Sequence, residues 1–491
     1  MTAAASLPRL GRAGLYLLLA GQLLPMIDFS IVNVALDAMA HALHASEVEL
    51  ELIVAVYGVA FAVCLAMGGR LGDNYGRRRV FTWGVLLFTL ASVLCGLANE
   101  VWVLLAARIL QGMAAALAVP QILATIHTGL QGREHSRALG LYGAIGGLAF
   151  VIGQVLGGLL ITLGAGGLGW RNVFLVNLPI GLLVAALAPR LLPETRSPHP
   201  ASIDIPGTLL LALVILCLLL PMALGPVLHW PWQCAVALGA VPPLLYALWR
   251  VERRQEAVGG FPLLPPSLLR LSSVRFGLGI AILFFSSWGG FMFAMALTLQ
   301  AGAHLSPLNS GNAFIALGVA YFLGSLLTSR AVARFEKTTV LMFGCLVQMA
   351  GLVMMILTLR HVWPEPSVLN LIPASLPIGF GQAFIVACFY RIGLSEVPHA
   401  QAGAGSATLS TVQQAAFGLG PAVYGAVLTH GLQAGGGTSL GNYLPASVGV
   451  LQAEFGVMAA LALLALVQHM RHRSRRRMLL SAAVPVCQSS Q

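Results

Sequence analysis

Two charges lie where a charge is least stable. Asp28 falls inside the first long apolar run of the chain, a few residues past its midpoint, and Arg108 falls inside the fourth. A carboxylate at the centre of a hydrocarbon layer costs roughly 2.5–3.5 kcal/mol on insertion scales, so it needs a cavity, a partner or a proton. Burial favours its neutral form and a nearby cation favours its charged form, so its proton affinity can follow conformation. This is the chemistry of proton coupling. Counted from the outer ends of their runs by helical rise, Asp28 lies about 12 Å deep and Arg108 about 10 Å deep. The expectation is a direct or water-linked pair in which Arg108 senses the charge on Asp28. The alternative is a static ion pair that holds the two runs together. The other fifteen of the sixteen acidic residues are read as lying in loops or near the ends of apolar runs. A lone deep acid implies one proton per cycle and a preference for monovalent or neutral substrates over dications.

A second constellation is Gly69-Arg-Leu-Gly-Asp-Asn-Tyr-Gly-Arg-Arg-Arg-Val80, wedged between two apolar runs. Gly69, Gly72 and Gly76 permit turning and close helix approach, while Asp73 can cap a helix and pair with Arg77 or Arg78. The expected role is a gate latch that holds when the outer side is open and breaks when the inner side opens. Glycines of the fifth run, including Gly143, Gly146, Gly147, Gly153, Gly157 and Gly158, offer a small-residue face. They are expected to pack closely against a helix of the other half. Candidates for a substrate cavity are Gln22, Asn33, Tyr57, Gln111, Trp288, Gln300, Gln413 and Gln414, with Phe284, Phe285, Phe291, Tyr321 and Tyr390 as further aromatic faces for flat lipophilic cations. Glu47, Glu49 and Glu51 read as a solvated entrance.

The elements that must position these residues are membrane helices. The chain has 491 residues, 58% apolar and only 9% charged, with mean hydropathy +0.86, which excludes an ordinary soluble domain. A crossing needs roughly 20 apolar residues. Fourteen candidates follow, near 14–36, 49–70, 80–98, 101–125, 138–163, 170–189, 205–224, 230–250, 275–300, 310–333, 339–358, 368–394, 404–431 and 449–470. With both termini cytoplasmic, all of the 27 Lys and Arg residues except Arg108, Arg171 and Arg360 fall on the cytoplasmic side. The run after Arg9 and Arg12 is too long for a signal peptide and is read as retained.

The net charge of +11 comes as short clusters between apolar runs. That points to anionic lipid headgroups, not nucleic acid. The seven cysteines have no zinc or redox spacing, so neither a disulfide framework nor a metal is expected. No Gly-Lys-Ser/Thr phosphate loop occurs, which excludes ATP drive and leaves a proton gradient as the energy source. Nothing supports a dimer, and the expectation is a monomer.

Internal echoes divide the chain. Arg70–Val80 is echoed by Arg330–Val340, and Gly153-Gln-Val-Leu-Gly-Gly158 by Gly420-Pro-Ala-Val-Tyr-Gly425. The expected plan is a cytoplasmic N-terminus (1–13), a six-helix bundle (14–190), a linker (191–204), an inserted helix pair (205–250), a linker (251–274), a second six-helix bundle (275–470) and a basic tail (471–491). Gly153, Gly157, Gly158 and Gly420 are the candidate conformational glycines. Ala333 stands where the first loop has Asp73, so only one latch is intact.

The 69–80 loop resembles the signature Gly-x-Leu-Ala-Asp-x-x-Gly-Arg-Arg/Lys of the major facilitator superfamily. Asp28-Phe-Ser-Ile-Val-Asn-Val-Ala-Leu36, Arg108-Ile-Leu-Gln-Gly112, Trp170-Arg-Asn-Val-Phe-Leu-Val-Asn-Leu-Pro-Ile-Gly181 and Asp204-Ile-Pro-Gly207 are similar to motifs of its fourteen-span drug:proton antiporters. Asp37 and Gln154 depart from that pattern, standing where the family carries proline. The resemblance implies an all-α polytopic fold of two six-helix bundles plus two helices, in the inner (plasma) membrane. It implies no enzyme activity and proton-coupled multidrug export by alternating access. A dedicated exporter of a metabolite or self-made toxin, an uptake symporter or facilitator, and a non-transporting receptor are the competing expectations.

Overall fold

A computed structural model describes residues 10–164, 168–196, 204–225, 228, 230–260, 262–398, 402–437 and 440–482. Among these residues the regular structure is helical, with no strand. The first six helical segments are α1 (Arg12–Leu43), α2 (Glu47–Tyr75), α3 (Arg77–Leu97), α4 (Val101–Gly129), α5 (Gly132–Leu163) and α6 (Gly169–Leu191). Two follow in the middle, α7 (Ile205–Leu224) and α8 (Trp232–Ala257). The last six are α9 (Ser272–Gly302), α10 (Pro307–Arg334), α11 (Lys337–Val362), α12 (Val368–Gly393), α13 (Ala402–Ala434) and α14 (Leu440–Ala482). Among the described residues twelve helices are long and apolar enough to cross a membrane, or thirteen if the bent α2 is one span. The helix outside that count is α13, whose start, Gly403-Ala-Gly-Ser-Ala-Thr, is rich in small and polar residues. Residues 1–9 and 483–491 lie outside the described residues, as do the side chains of 472–482, which include most of the basic tail.

Local chemistry sets the helix ends. Ser46 starts α2 through a capping box with Glu49, whose carboxylate accepts the Ser46 backbone N–H at 2.8 Å. Those bonds hold the Glu49 carboxyl below the usual range. Glu49 is thus a helix cap; the side chains of Glu47 and Glu51 lie outside the described residues. Asp204 caps α7 by accepting Gly207 N–H at 2.8 Å, and Ser367 with Asn370 caps α12. Gly76 has φ +105°, a conformation open to glycine at little cost, and there α2 ends and α3 begins.

The packing of the first bundle recurs eight helices later. Within α1–α6 the main pairs are α1–α5, α2–α4, α3–α4 and α3–α6; within α9–α14 they are α9–α13, α10–α12, α11–α12 and α11–α14. The two bundles meet along two seams, α5 on α10 and α2 on α13. The inserted pair treats them unequally. Leu211, Ile215 and Leu219 of α7 pack on Val59 and Ala62 of α2 and against Ala415 and Leu419 of α13, so α7 covers the α2–α13 seam from outside.

The expectation that the α5 glycines face the other half needs correction. A Cβ at Gly153 would meet Ser30 and the Ile27 carbonyl, and one at Gly157 would meet Ile31 and Val34, all on α1 of the same bundle. Gly158 and Gly147 are the ones that face α10, against Pro307, Leu308 and Tyr321. The helical period explains the division: 153 and 157 are one turn apart, whereas 147 and 158 are three turns apart on a neighbouring stripe. Gly420 likewise packs inside its own bundle, against Ser286 and Gly290 of α9. The α5–α10 seam is tight from Gly158 to Gly147 and lapses toward the other end, where a Cβ at Gly140 would meet nothing within 4 Å.

Two substitutions separate these stripes. Gly157→Leu overpacks one bundle and should cost about 1–3 kcal/mol, seen as a lower unfolding temperature of the purified protein. Gly158→Leu should leave that temperature closer to wild type and instead reduce cross-linking between cysteines placed at Val155 and Gly311, in a background without native cysteines. Equal effects of both variants on both readouts would contradict the assignment of faces.

Candidate functional site

Asp28 and Arg108 are in direct contact, and both are sealed from solvent, at 0% and 1% exposure. One Arg108 amino group donates to Asp28 Oδ2 and to Gln111 Oε1, the latter at 2.7 Å. Gln111 lies three residues beyond Arg108 on the same face of α4. Its Nε2 donates to Asp28 Oδ1 at 2.7 Å and to Ser92 Oγ at 2.8 Å. Asn177 of α6 donates to Asp28 Oδ1 at 3.1 Å and to Ser92 Oγ at 3.3 Å. Arg108 Nε is taken by the Ile53 carbonyl at 3.1 Å, and its guanidinium lies 4.3 Å from the centre of the Tyr57 ring. Helices α1, α2, α3, α4 and α6 therefore converge on one buried ion pair and the network around it. Both Asp28 oxygens accept hydrogen bonds and a cation stands beside them, an arrangement suited to the charged form.

Between the halves lie two small adjoining pockets, with Phe29 in the wall of both. The larger is lined by Val54, Ala55, Phe293, Gly418, Pro421 and Ala422, the smaller by Pro25, Met26, Gly58, Phe61, Gln414 and Phe417. Phe29 follows Asp28 directly, so α1 turns the aromatic ring to the cleft and the carboxylate into the bundle. Tyr57 joins the two. It donates to the Pro25 carbonyl at 3.0 Å, its ring lies 6.1 Å from Phe29, and it covers Arg108.

Of the cavity candidates, Gln414 lines a cleft. Gln111 and Tyr57 belong instead to the charge network. Trp288 is packed among aromatic rings, 5.6 Å from both Phe284 and Tyr321 and 5.7 Å from Phe417. Gln22 donates to the Tyr142 carbonyl, Gln300 to Ser310, and Gln413 accepts from Tyr390. Asn33 is buried with its carbonyl oxygen unpartnered. Sequence reasoning missed Phe29, Phe61, Phe293 and Phe417, because an aromatic residue in an apolar helix carries no mark of the direction it faces. It also missed Asn177 and Ser92; Asn177 at least lay inside a quoted motif, Val-Asn-Leu-Pro.

The loop at 69–80 is held within its own half. Asp73 pairs with Arg77 at 2.7 Å, one turn apart. Arg77 N–H donates to the Thr195 carbonyl at 2.8 Å, and Glu194 takes the Arg78 backbone N–H at 3.1 Å and lies 3.4 Å from its guanidinium. Gly76 leaves room for the Glu194 carboxylate, and a Cβ at Gly72 would strike Gln121 of α4. Gly69 packs against Pro120. Glu194 and Thr195, in the linker after α6, escaped the sequence reading. Arg70 reaches farther and donates to the Pro262 carbonyl in the linker after α8, at 2.9 Å.

One expectation fails outright: Asp28 is not the lone deep carboxyl. Glu454 is fully buried at 0% exposure deep within its helix, whereas Glu252 and Asp204, though buried at 1% and 4%, lie at helix ends as expected. An apolar run starting near 449 puts Glu454 close to a span end, but α14 begins at Leu440, so the residue lies about four turns inside its helix.

A family profile described as Major Facilitator Superfamily matches residues 18–421. The chain is 35% identical over 84% of its length to a probable actinorhodin transporter of Streptomyces coelicolor, covering 72% of that protein. It is 34% identical over 85% of its length to a puromycin resistance protein of Streptomyces alboniger, covering 81% of it. It is 30% identical over 84% of its length to the multidrug resistance protein Stp of Mycobacterium tuberculosis, covering 75% of it. Among solved structures, a POT family transporter in complex with 5-aminolevulinic acid superposes with TM-score 0.65 at 12% identity, over 94% of this chain and 98% of that one, a likeness of fold. With its paired helical bundles and a profile match across most of its length, the chain belongs to the Major Facilitator Superfamily, a family of multi-pass membrane transporters and not of enzymes.

Proposed function

We propose that the protein is a proton-coupled antiporter that exports amphipathic compounds, cationic or neutral and lipophilic, across the inner (plasma) membrane by alternating access. In this reading α13 also crosses, giving fourteen spans with both termini cytoplasmic. The observation that carries it is the position of the Asp28–Arg108–Gln111 network directly behind a phenylalanine-walled cleft between the halves. The cleft offers aromatic faces and the Gln414 amide, and none of its lining residues carries a charge, which suits flat apolar molecules more than dications.

The coupling step follows from the same geometry. A proton on Asp28 removes the counter-charge of Arg108, which stays held by the Ile53 carbonyl and the Tyr57 ring. Because Tyr57 also bonds to Pro25 and packs on Phe29, a shift of Arg108 reaches the cleft wall through one side chain. Protonation and substrate binding are thus linked by α1 and α2, whose far sides face the second bundle. The 69–80 loop, bound to Glu194 and Thr195 of its own half, would release or re-form these contacts as the bundles rock.

The names of two relatives, an actinorhodin transporter and a puromycin resistance protein, favour a second reading: the same mechanism devoted to one metabolite. A resistance screen in a strain stripped of its own pumps separates the two. Protection against several unrelated compounds supports broad export, and protection against one chemical class supports the dedicated form.

Two predictions test the coupling. Asp28→Asn leaves a buried guanidinium without its counter-ion and should cost about 3–5 kcal/mol of stability. Asp28→Asn with Arg108→Gln should recover most of that stability while proton-driven ethidium efflux from proteoliposomes stays at background. Proton-driven efflux at wild-type rate in the double variant would show a merely structural pair. Tyr57→Phe keeps the ring and its packing on Phe29 but loses the Pro25 bond and should weaken coupling only in part, whereas Tyr57→Leu also forfeits a desolvated cation–π contact of about 2 kcal/mol and should uncouple efflux.

A further inference from the structure

The second bundle holds a buried carboxyl of its own, in surroundings opposite to those of Asp28. Glu454 of α14 is 0% exposed and accepts one hydrogen bond, from Gln348 Nε2 of α11 at 2.9 Å. Ser287 of α9 lies beside it, and Tyr424 of α13 is within electrostatic reach. Glu454 Oε2, Gln348 Oε1, Ser287 Oγ and Tyr424 Oη are all buried, and none makes a hydrogen bond of good geometry, although Ser287 stands close to both Glu454 and Tyr424. Four helices thus bring four unsatisfied polar atoms to one point inside an apolar bundle.

Among the described residues no cation joins them. The charged or basic groups on the packed helices are Arg275 on α9, Lys337, Arg360 and His361 on α11, His430 on α13, and on α14 His469, Arg471 and, farther along, His472, Arg473 and Arg475 to Arg477, whose side chains lie outside the described residues. By helical rise Arg275, Lys337 and Arg360 lie about 16–18 Å from the cluster residue on their own helix, His469 about 22 Å, and the exposed His430 about 9 Å. His469 is also engaged with Glu336 at 2.8 Å. The other titratable groups on these helices are the Cys345 thiol, one turn from Gln348, and the Tyr443 phenol, three turns from Glu454. Neither supplies positive charge. A carboxylate ion cut off from water and from any cation is far costlier than a carboxylic acid, which also brings the donor that the orphaned oxygens lack.

We propose that Glu454 is a second proton-binding site of the carrier, protonated in this conformation, with Gln348, Ser287 and Tyr424 as its cage. The two bundles then hold carboxyls in complementary states: Asp28 ionised against Arg108, and Glu454 neutral without a cation. The helix pair involved, α11–α14, corresponds to α3–α6, where Ser92 and Asn177 serve Asp28. The coupling role of this site rests on the proton-antiport reading above and deepens it to two protons per cycle. It replaces the single proton expected from a lone deep acid.

The test has one arm that needs no substrate. Infrared difference spectra of the purified full-length protein, titrated with acid and base around neutrality, should contain the C=O stretch of a buried carboxylic acid. Glu454→Gln, a neutral isostere, should abolish that band and keep the wild-type unfolding temperature; Asp28→Asn should leave it in place. Absence of the band in wild type, or its survival in Glu454→Gln, overturns the site. The second arm counts protons moved per ethidium exported from proteoliposomes. A ratio near two in wild type, falling to about one in Glu454→Gln, supports coupling, and an unchanged ratio with the band lost overturns it. Ethidium efflux in wild type with no proton movement would instead sink the antiport reading, while the infrared result on Glu454 would stand.

Discussion

A buried ion pair organises the first bundle. Asp28 and Arg108 have no water to retreat to, so every group around them must be placed to satisfy them. That single requirement fixes the rotation of α1, which turns Asp28 inward and Phe29 outward, and the rotation of α4, which brings Arg108 and Gln111 to the same point. It also sets the depth of α6, since Asn177 must reach both the carboxylate and Ser92. Such a pair is a poor source of stability, because desolvation consumes most of what the attraction returns. In the proposed antiport its value would lie in two distinct states, with and without a proton, that demand different packing.

The large features of the fold were legible because a membrane imposes them. Long apolar runs, loop arginines and the echo of Arg70–Val80 in Arg330–Val340 led to helices arranged as two similar bundles. Asp28 and Arg108 were legible for the same reason: a charge inside such a run stands out against its neighbours. Direction was not legible. The α5 glycines look like one stripe in sequence, and a rotation of about 100° per residue splits them between α1 and α10. Helix length was the other blind spot. Glu454 looked like a residue near a span end because α14 starts within a polar stretch, Leu440-Gly-Asn-Tyr, that hydropathy alone assigns to a loop.

The latch loop illustrates how local and distant constraints combine. Gly76 and Gly72 are required where the backbone reverses and where Gln121 presses on α2, and these needs are visible in the sequence. The anchors Glu194 and Thr195 come from a linker more than a hundred residues away, and no pattern near the loop announces them. Arg70 leaves this group and ties α2 to the linker after α8, so the loop touches the inserted pair as well as its own bundle.

The placement of α7 over one seam gives the carrier an unequal pair of flanks. At the α2–α13 seam the first shell around the transporter is part of the same polypeptide, with Leu211, Ile215 and Leu219 filling grooves that acyl chains would otherwise occupy. In effect the protein carries a tethered lipid that cannot diffuse away. At this flank the apolar neighbour is the same whatever the bilayer composition, whereas α7 gives the α5–α10 flank no such cover.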